Sequence, residues 1–184
     1  TQRTSSAASD VYKRQAIANT NITLSKLEDI SYFKTGRLFE ASAKCGALLS
    51  NSKKTYINNI SACAKNLGIV FQIKDDLLDY EGKEDALGKP AFQDIKEGKV
   101  TYPFYFAYQN ANHHDKKILD TMLGNKKISH TKVSNLIEKL DGIKDTQNLA
   151  LKYINKCKNF ADKLDNDMQQ EMLKLLDSAI NRIK

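Results

Sequence analysis

The 184 residues (20.8 kDa) carry 29 Lys and Arg against 22 Asp and Glu, a formal net charge of +7, with 41% apolar and 28% charged residues and two prolines. That length accommodates one ordinary domain rather than two, and the scarcity of proline leaves the chain free to be largely helical. Cys45, Cys63 and Cys157 are odd in number, widely spaced and without a second Cys or a His at ligand spacing, which supports neither a disulfide framework nor a zinc site, and without an apolar run of about 18 residues or a signal-peptide pattern a soluble, cytoplasmic protein is expected.

In chain order, residues 1–20, opening TQRTSSAASDVYKRQ, are polar and lack helical period. They read as a leader, disordered or foreign to the domain, which is then expected over 21–184. From Asn21, NITLSKLEDISYFKTGRLFEASAKCGALLS reads as a cap region and a helix that sets Phe33, Leu38, Phe39, Leu48 and Leu49 among Ala and Gly. Small residues of this kind let a helix or a ligand approach closely.

A long helix is expected from about Lys53 to Tyr80. On its helical wheel Leu67, Val70, Ile73, Leu77 and Leu78 share one arc, while Gln72, Asp75, Asp76 and Asp79 share the opposite one. Lys74 falls within the apolar arc, where its stem would pack and its ammonium reach outward. The stretch EGKEDALGKPAFQDIKEGK, 81–99, lacks a sustained period and reads as a long loop of the kind that carries function. Thr101 and Pro103 mark a new helix start before the aromatic run PFYFAYQNA, and further helices are expected at about 115–123, 131–140, 145–165 and 167–183. The lysines along them, and His113, His114 and His130, read as surface residues.

The positive charge suggests attraction to phosphates of nucleic acid, lipid or a small diphosphate. The acidic turn makes that choice narrower. Asp75 and Asp79 are four apart and Asp76 and Asp79 three apart, so their oxygens can converge on a point where hard Mg²⁺ is at home, with Gln72 one turn before them. Lys89 and Lys99, each following a glycine, place ammonium groups just beyond the acids. Acids beside lysines suggest Mg²⁺ together with a phosphorylated ligand.

FQIKDDLLDY at 71–80, GKPAFQDIKEGKVTYP at 88–103 and KTG at 34–36 resemble the trans-isoprenyl diphosphate synthases of the polyprenyl synthetase family. The resemblance spans roughly residues 21–184 and implies an all-α bundle of long helices around a central cavity, incomplete here on its N-terminal side. It implies a prenyltransferase that joins isopentenyl diphosphate to an allylic diphosphate with Mg²⁺, and a homodimer or heterodimer formed through helices. By resemblance Asp75 would bind Mg²⁺ directly, and Asp76 and Asp79 would support the metal. Lys34 and Lys89 would contact the allylic diphosphate and Lys99 would add positive charge at the loop. Thr35 and Gln72 would lie beside the developing allylic cation.

The family pattern also has a first DDxxD and an arginine-rich segment upstream, and neither is present in these 184 residues. The chain therefore reads as the C-terminal half of a synthase, inactive alone and exposing apolar surface that further helices would cover. Two other readings stay open: a non-catalytic partner subunit of a prenyl synthase, and a basic helical nucleic-acid binder suggested by charge alone.

Overall fold

The computed structural model describes residues 16–80, 91–164 and 166–181, and these are almost entirely helical. In chain order they form α1 (Leu24–Ser31), a π-helical turn (Tyr32–Gly36), α2 (Arg37–Leu49), α3 (Lys54–Tyr80), α4 (Gln93–Lys96), α5 (Tyr102–Asn110), α6 (His113–Met122), α7 (His130–Lys139), α8 (Gly142–Ala161) and α9 (Asn166–Asn181). The expected all-α class holds, and the boundaries of the later helices fall within a few residues of those read from periodicity.

The chain divides into two compact units, one formed by residues 1–30 and 75–146, the other by 31–74 and 147–184. Of the three boundaries, one falls at the end of α1 after Ile30, and two pass through the body of a helix, within α3 after Lys74 and within α8 after Thr146. In the first unit Leu77, Tyr80, Phe92, Ile95, Tyr102, Phe104, Leu119 and Ile137 are buried. Thr101 is extended ahead of α5 and a proline stands in the first turn, where its missing N–H costs nothing. The Asn112 side chain caps α6 by accepting the Asp115 N–H at 2.9 Å, and the buried Asp115 carboxylate is paired with Lys139. In the second unit Val70, Ile73, Ile154, Cys157 and Leu176 are buried, whereas Leu38, Leu48, Leu49 and Leu175 are exposed. The uncovered apolar surface expected from sequence is therefore present there.

Residues 16–18 differ from the reading of 1–20 as a leader. Ala16 is buried, Ile17 forms an antiparallel bridge with Lys99, and hydrogen bonds run from Ala18 N to Gly98 O (2.7 Å) and from Val100 N to Ala16 O (2.9 Å). A pairing this short is made by backbone groups and leaves no side-chain period to read. The segment 91–99 is likewise more ordered than a loop, since it holds α4.

Candidate functional site

The site residues of the second unit lie on the π-helical turn and on α3. A π-helical turn lengthens the hydrogen-bonded turn by one residue and is frequently found at functional positions. Here it spans YFKTG, the stretch that holds Lys34 and Thr35. It packs flush on α3 because two glycines meet: a Cβ on Gly68 would lie 2.5 Å from the Gly36 Cα, and one on Gly36 would lie 3.3 Å from the Lys65 carbonyl oxygen. That approach brings the Thr35 hydroxyl to the Gln72 side chain, to whose Oε1 it donates at 3.1 Å. Gln72 is buried, Thr35 half-buried and Lys34 exposed. Tyr32, at the start of the turn, donates to Glu40 at 2.7 Å and lies under the Lys65 ammonium. An apolar groove of about 270 Å³ in the same unit is lined by Phe39, Leu67, Val70, Phe71 and Leu175, with Lys74 at its edge. Lys74 is half-buried there.

The acidic residues belong to the first unit, in the last turns of α3. Carboxylates at the negative end of a helix dipole are disfavoured unless donors or cations compensate them. For two of the three the compensation is visible. Asp76 is buried and accepts the Tyr102 N–H at 3.4 Å. Asp79 accepts the Gln93 N–H at 3.0 Å and the Asp94 N–H at 3.1 Å, one on each oxygen. Asp75 is exposed. Among the described residues no three His, Cys, Asp or Glu side chains gather at metal-ligating spacing. The wheel places all four polar residues on one face, but Gln72 and Asp76 are buried, each slightly more so than Leu67 of the apolar arc.

Burial pushes the Asp79 carboxyl above its usual range, the charge of Asp94 adds to this, and the two N–H donors and Lys99 act against it. A carboxyl whose folded pKa is raised binds its proton more tightly folded than unfolded. Relative to Asp79→Asn, the protein should therefore lose stability as pH rises from about 3.9, the unfolded value, through the folded value. Melting temperatures of the two proteins across that window check the sign, and a wild type that gained stability over it would contradict it.

Lys99 is paired with Asp94 at 3.1 Å and with Glu97. Burial works against its charge, yet these two carboxylates outweigh it and raise its pKa. The geometry thus ties Lys99 to Asp94, a residue that periodicity did not single out. Lys89 lies outside the described residues. His113 and His114 are exposed as expected, but His130 is half-buried and bonded to Lys96, which corrects its reading as a surface residue.

A helical chain with an acidic helix end, a following lysine-bearing segment and a π-helical KTG turn belongs to the structural class of the isoprenoid diphosphate synthases. A polyprenyl synthase from Caulobacter crescentus solved with calcium and isoprenyl diphosphate superimposes with a TM-score of 0.85 at 27% identity, over 97% of this chain and 56% of that one. A decaprenyl diphosphate synthase from Rhodobacter capsulatus has the same fold, with a TM-score of 0.85 at 24% identity over 97% of this chain and 56% of that one. The polyprenyl synthetase family model matches residues 5–140, and the chain belongs to that family. The match begins inside the segment read as a leader.

A prenyl transferase of Cyanophora paradoxa is 31% identical over 156 residues, covering 85% of this chain and 48% of that protein. A geranylgeranyl diphosphate synthase of Sulfolobus acidocaldarius is 38% identical over 135 residues, covering 72% of this chain and 40% of that one. The chain thus spans less than half the length of these two relatives. No helix among the described residues is long and apolar enough to cross a membrane.

Proposed function

We propose that this chain forms the part of a trans-prenyltransferase that handles the allylic diphosphate, in a reaction joining it to isopentenyl diphosphate. One observation carries the reading: α3 presents Asp75 to solvent while the flanking Asp76 and Asp79 are immobilised by backbone N–H groups. A rigid acidic turn with one outward carboxylate suits a cation that takes its remaining ligands from water and phosphate.

The donors fit Mg²⁺, a hard ion that keeps several waters and binds through one or two carboxylates plus substrate phosphates. Asp75 would hold it directly, with Asp76 and Asp79 fixing the turn and its charge. When bound, Mg²⁺ neutralises charge that builds on the diphosphate as the C–O bond breaks. The Caulobacter relative, solved with calcium and isoprenyl diphosphate, supports a divalent cation and a prenyl diphosphate as ligands.

The chain's own residues do the rest. Lys34 and Lys89 bind the diphosphate oxygens, and Lys99, held by Asp94 and Glu97, sets the charge of the following segment. Thr35 spends its hydroxyl proton on Gln72, so its oxygen lone pairs are what it can offer a developing carbocation. Oxygen dipoles in that position stabilise positive charge without an ionised group that would capture it. Association through the exposed leucines of α2 belongs to the same reading.

Calorimetric titration of the 184-residue chain tests it. Mg²⁺ should bind weakly alone and more tightly with inorganic pyrophosphate, and Asp75→Ala should remove the difference. Equal Mg²⁺ affinity with and without pyrophosphate would contradict the metal assignment. A chain that bound a complete synthase but no Mg²⁺–pyrophosphate would be a partner subunit instead.

A further inference from the structure

We infer that His130 is a positioning residue, which holds the segment 91–96 in the arrangement that delivers three successive backbone amides to Asp79. His130 opens α7 and makes two contacts with that segment. Its ring lies against Phe92 with centroids 5.2 Å apart and planes at 41°, and its Nε2 is 2.8 Å from the Lys96 Nζ. An ammonium has donors and no acceptor, so Nε2 accepts and the ring proton sits on Nδ1. Lys96 makes a second bond to the Ala91 carbonyl at 3.1 Å, which closes the segment on itself.

Phe92 is the residue that needs holding. Its φ of 59° is left-handed, a conformation that strains an ordinary side chain and persists only where the surroundings over-determine it. Those surroundings are two rings: Tyr80 meets Phe92 edge-on at 5.7 Å, and His130 packs against it. The left-handed turn at Phe92 aims its own N–H at the Asp79 carbonyl oxygen (2.9 Å) and the next two N–H groups at the Asp79 carboxylate (3.0 and 3.1 Å). His130 acts on Asp79 through Phe92 and Lys96. The consequence for Mg²⁺–diphosphate binding rests on the proposed function, whereas the effect on the amides does not.

The experiment uses the full 184-residue chain with His130→Ala, His130→Gln and, as a control for general destabilisation, Val133→Ala on the same helix, whose side chain is fully buried. The first measurement is amide hydrogen exchange at Phe92, Gln93 and Asp94. His130→Ala should speed it by about tenfold or more relative to Val133→Ala at matched distance below each melting temperature. His130→Gln, whose amide oxygen can accept from Lys96, should recover part of the protection. The second measurement is Mg²⁺–pyrophosphate affinity, expected to fall several-fold in His130→Ala and to recover partly in His130→Gln. Unchanged exchange in His130→Ala, or an equal change in Val133→Ala, would overturn the assignment of His130. A wild type that binds no Mg²⁺–pyrophosphate while exchange responds as expected would uphold His130 and overturn the proposed function.

Discussion

Asp75→Ala is expected to lower turnover by about 10²–10³-fold or more in a chimera that joins the preceding half of a full-length relative to this chain, because it removes charge stabilisation that matters most at the transition state. The chimera is needed because the 184 residues span less than half of the Cyanophora and Sulfolobus relatives and contain one aspartate-rich motif of this type. Alone they are expected to form no prenyl product. The junction belongs ahead of residue 5, where the family match begins, since Ala16 and Ala18 pair with Val100 and Gly98 and a junction at residue 21 would break those bonds. In the same chimera Lys34→Ala and Lys89→Ala should act mainly on allylic-diphosphate KM. Loss of one charge-assisted contact is worth about 1.5–3 kcal/mol. Steady-state kinetics separate the two behaviours. A chimera in which Asp75→Ala turned over normally while the lysine changes abolished activity would remove the metal assignment.

Gly68→Ala is expected to destabilise the protein by about 1–3 kcal/mol, and each kcal/mol should lower the melting temperature by about 2–4 °C in a chain of this size. The added Cβ would stand 2.5 Å from the Gly36 Cα and 3.1 Å from the Gly36 N. Both are backbone atoms of the π-helical turn, so no side-chain rotation can relieve the contact. The turn must move off α3, and the Thr35–Gln72 hydrogen bond at 3.1 Å should go with it. Gly46→Ala provides the contrast. A Cβ there meets nothing within 4 Å, and in a helix interior the change should stabilise by about 0.5–1 kcal/mol. Thermal unfolding of both variants checks the pair, and equal effects would show that the glycine contact does not hold the turn in place.

The amino-acid sequence by itself determined the helical class, the extent of α3 and the later helices, and the acidic turn with its lysines. These are properties of local spacing: a 3.6-residue period, a proline at a helix start, carboxylates three and four apart. It placed Gln72 beside the acids by helical spacing and singled out Thr35 only through resemblance to a family, since nothing within either neighbourhood announces a partner 37 residues away. Tertiary structure alone decided the rest. Whether a carboxylate on α3 is exposed or capped depends on which distant N–H reaches it, so three aspartates that look equivalent on a wheel divide into an outward Asp75, an Asp76 bonded to Tyr102 and an Asp79 bonded to Gln93 and Asp94. The same holds for Ala16–Ala18, whose order comes from backbone bonds that carry no side-chain pattern. His130 looked like a surface histidine because its contacts are with residues 34 and 38 positions earlier, brought to it by a left-handed turn at Phe92 that no periodicity signals.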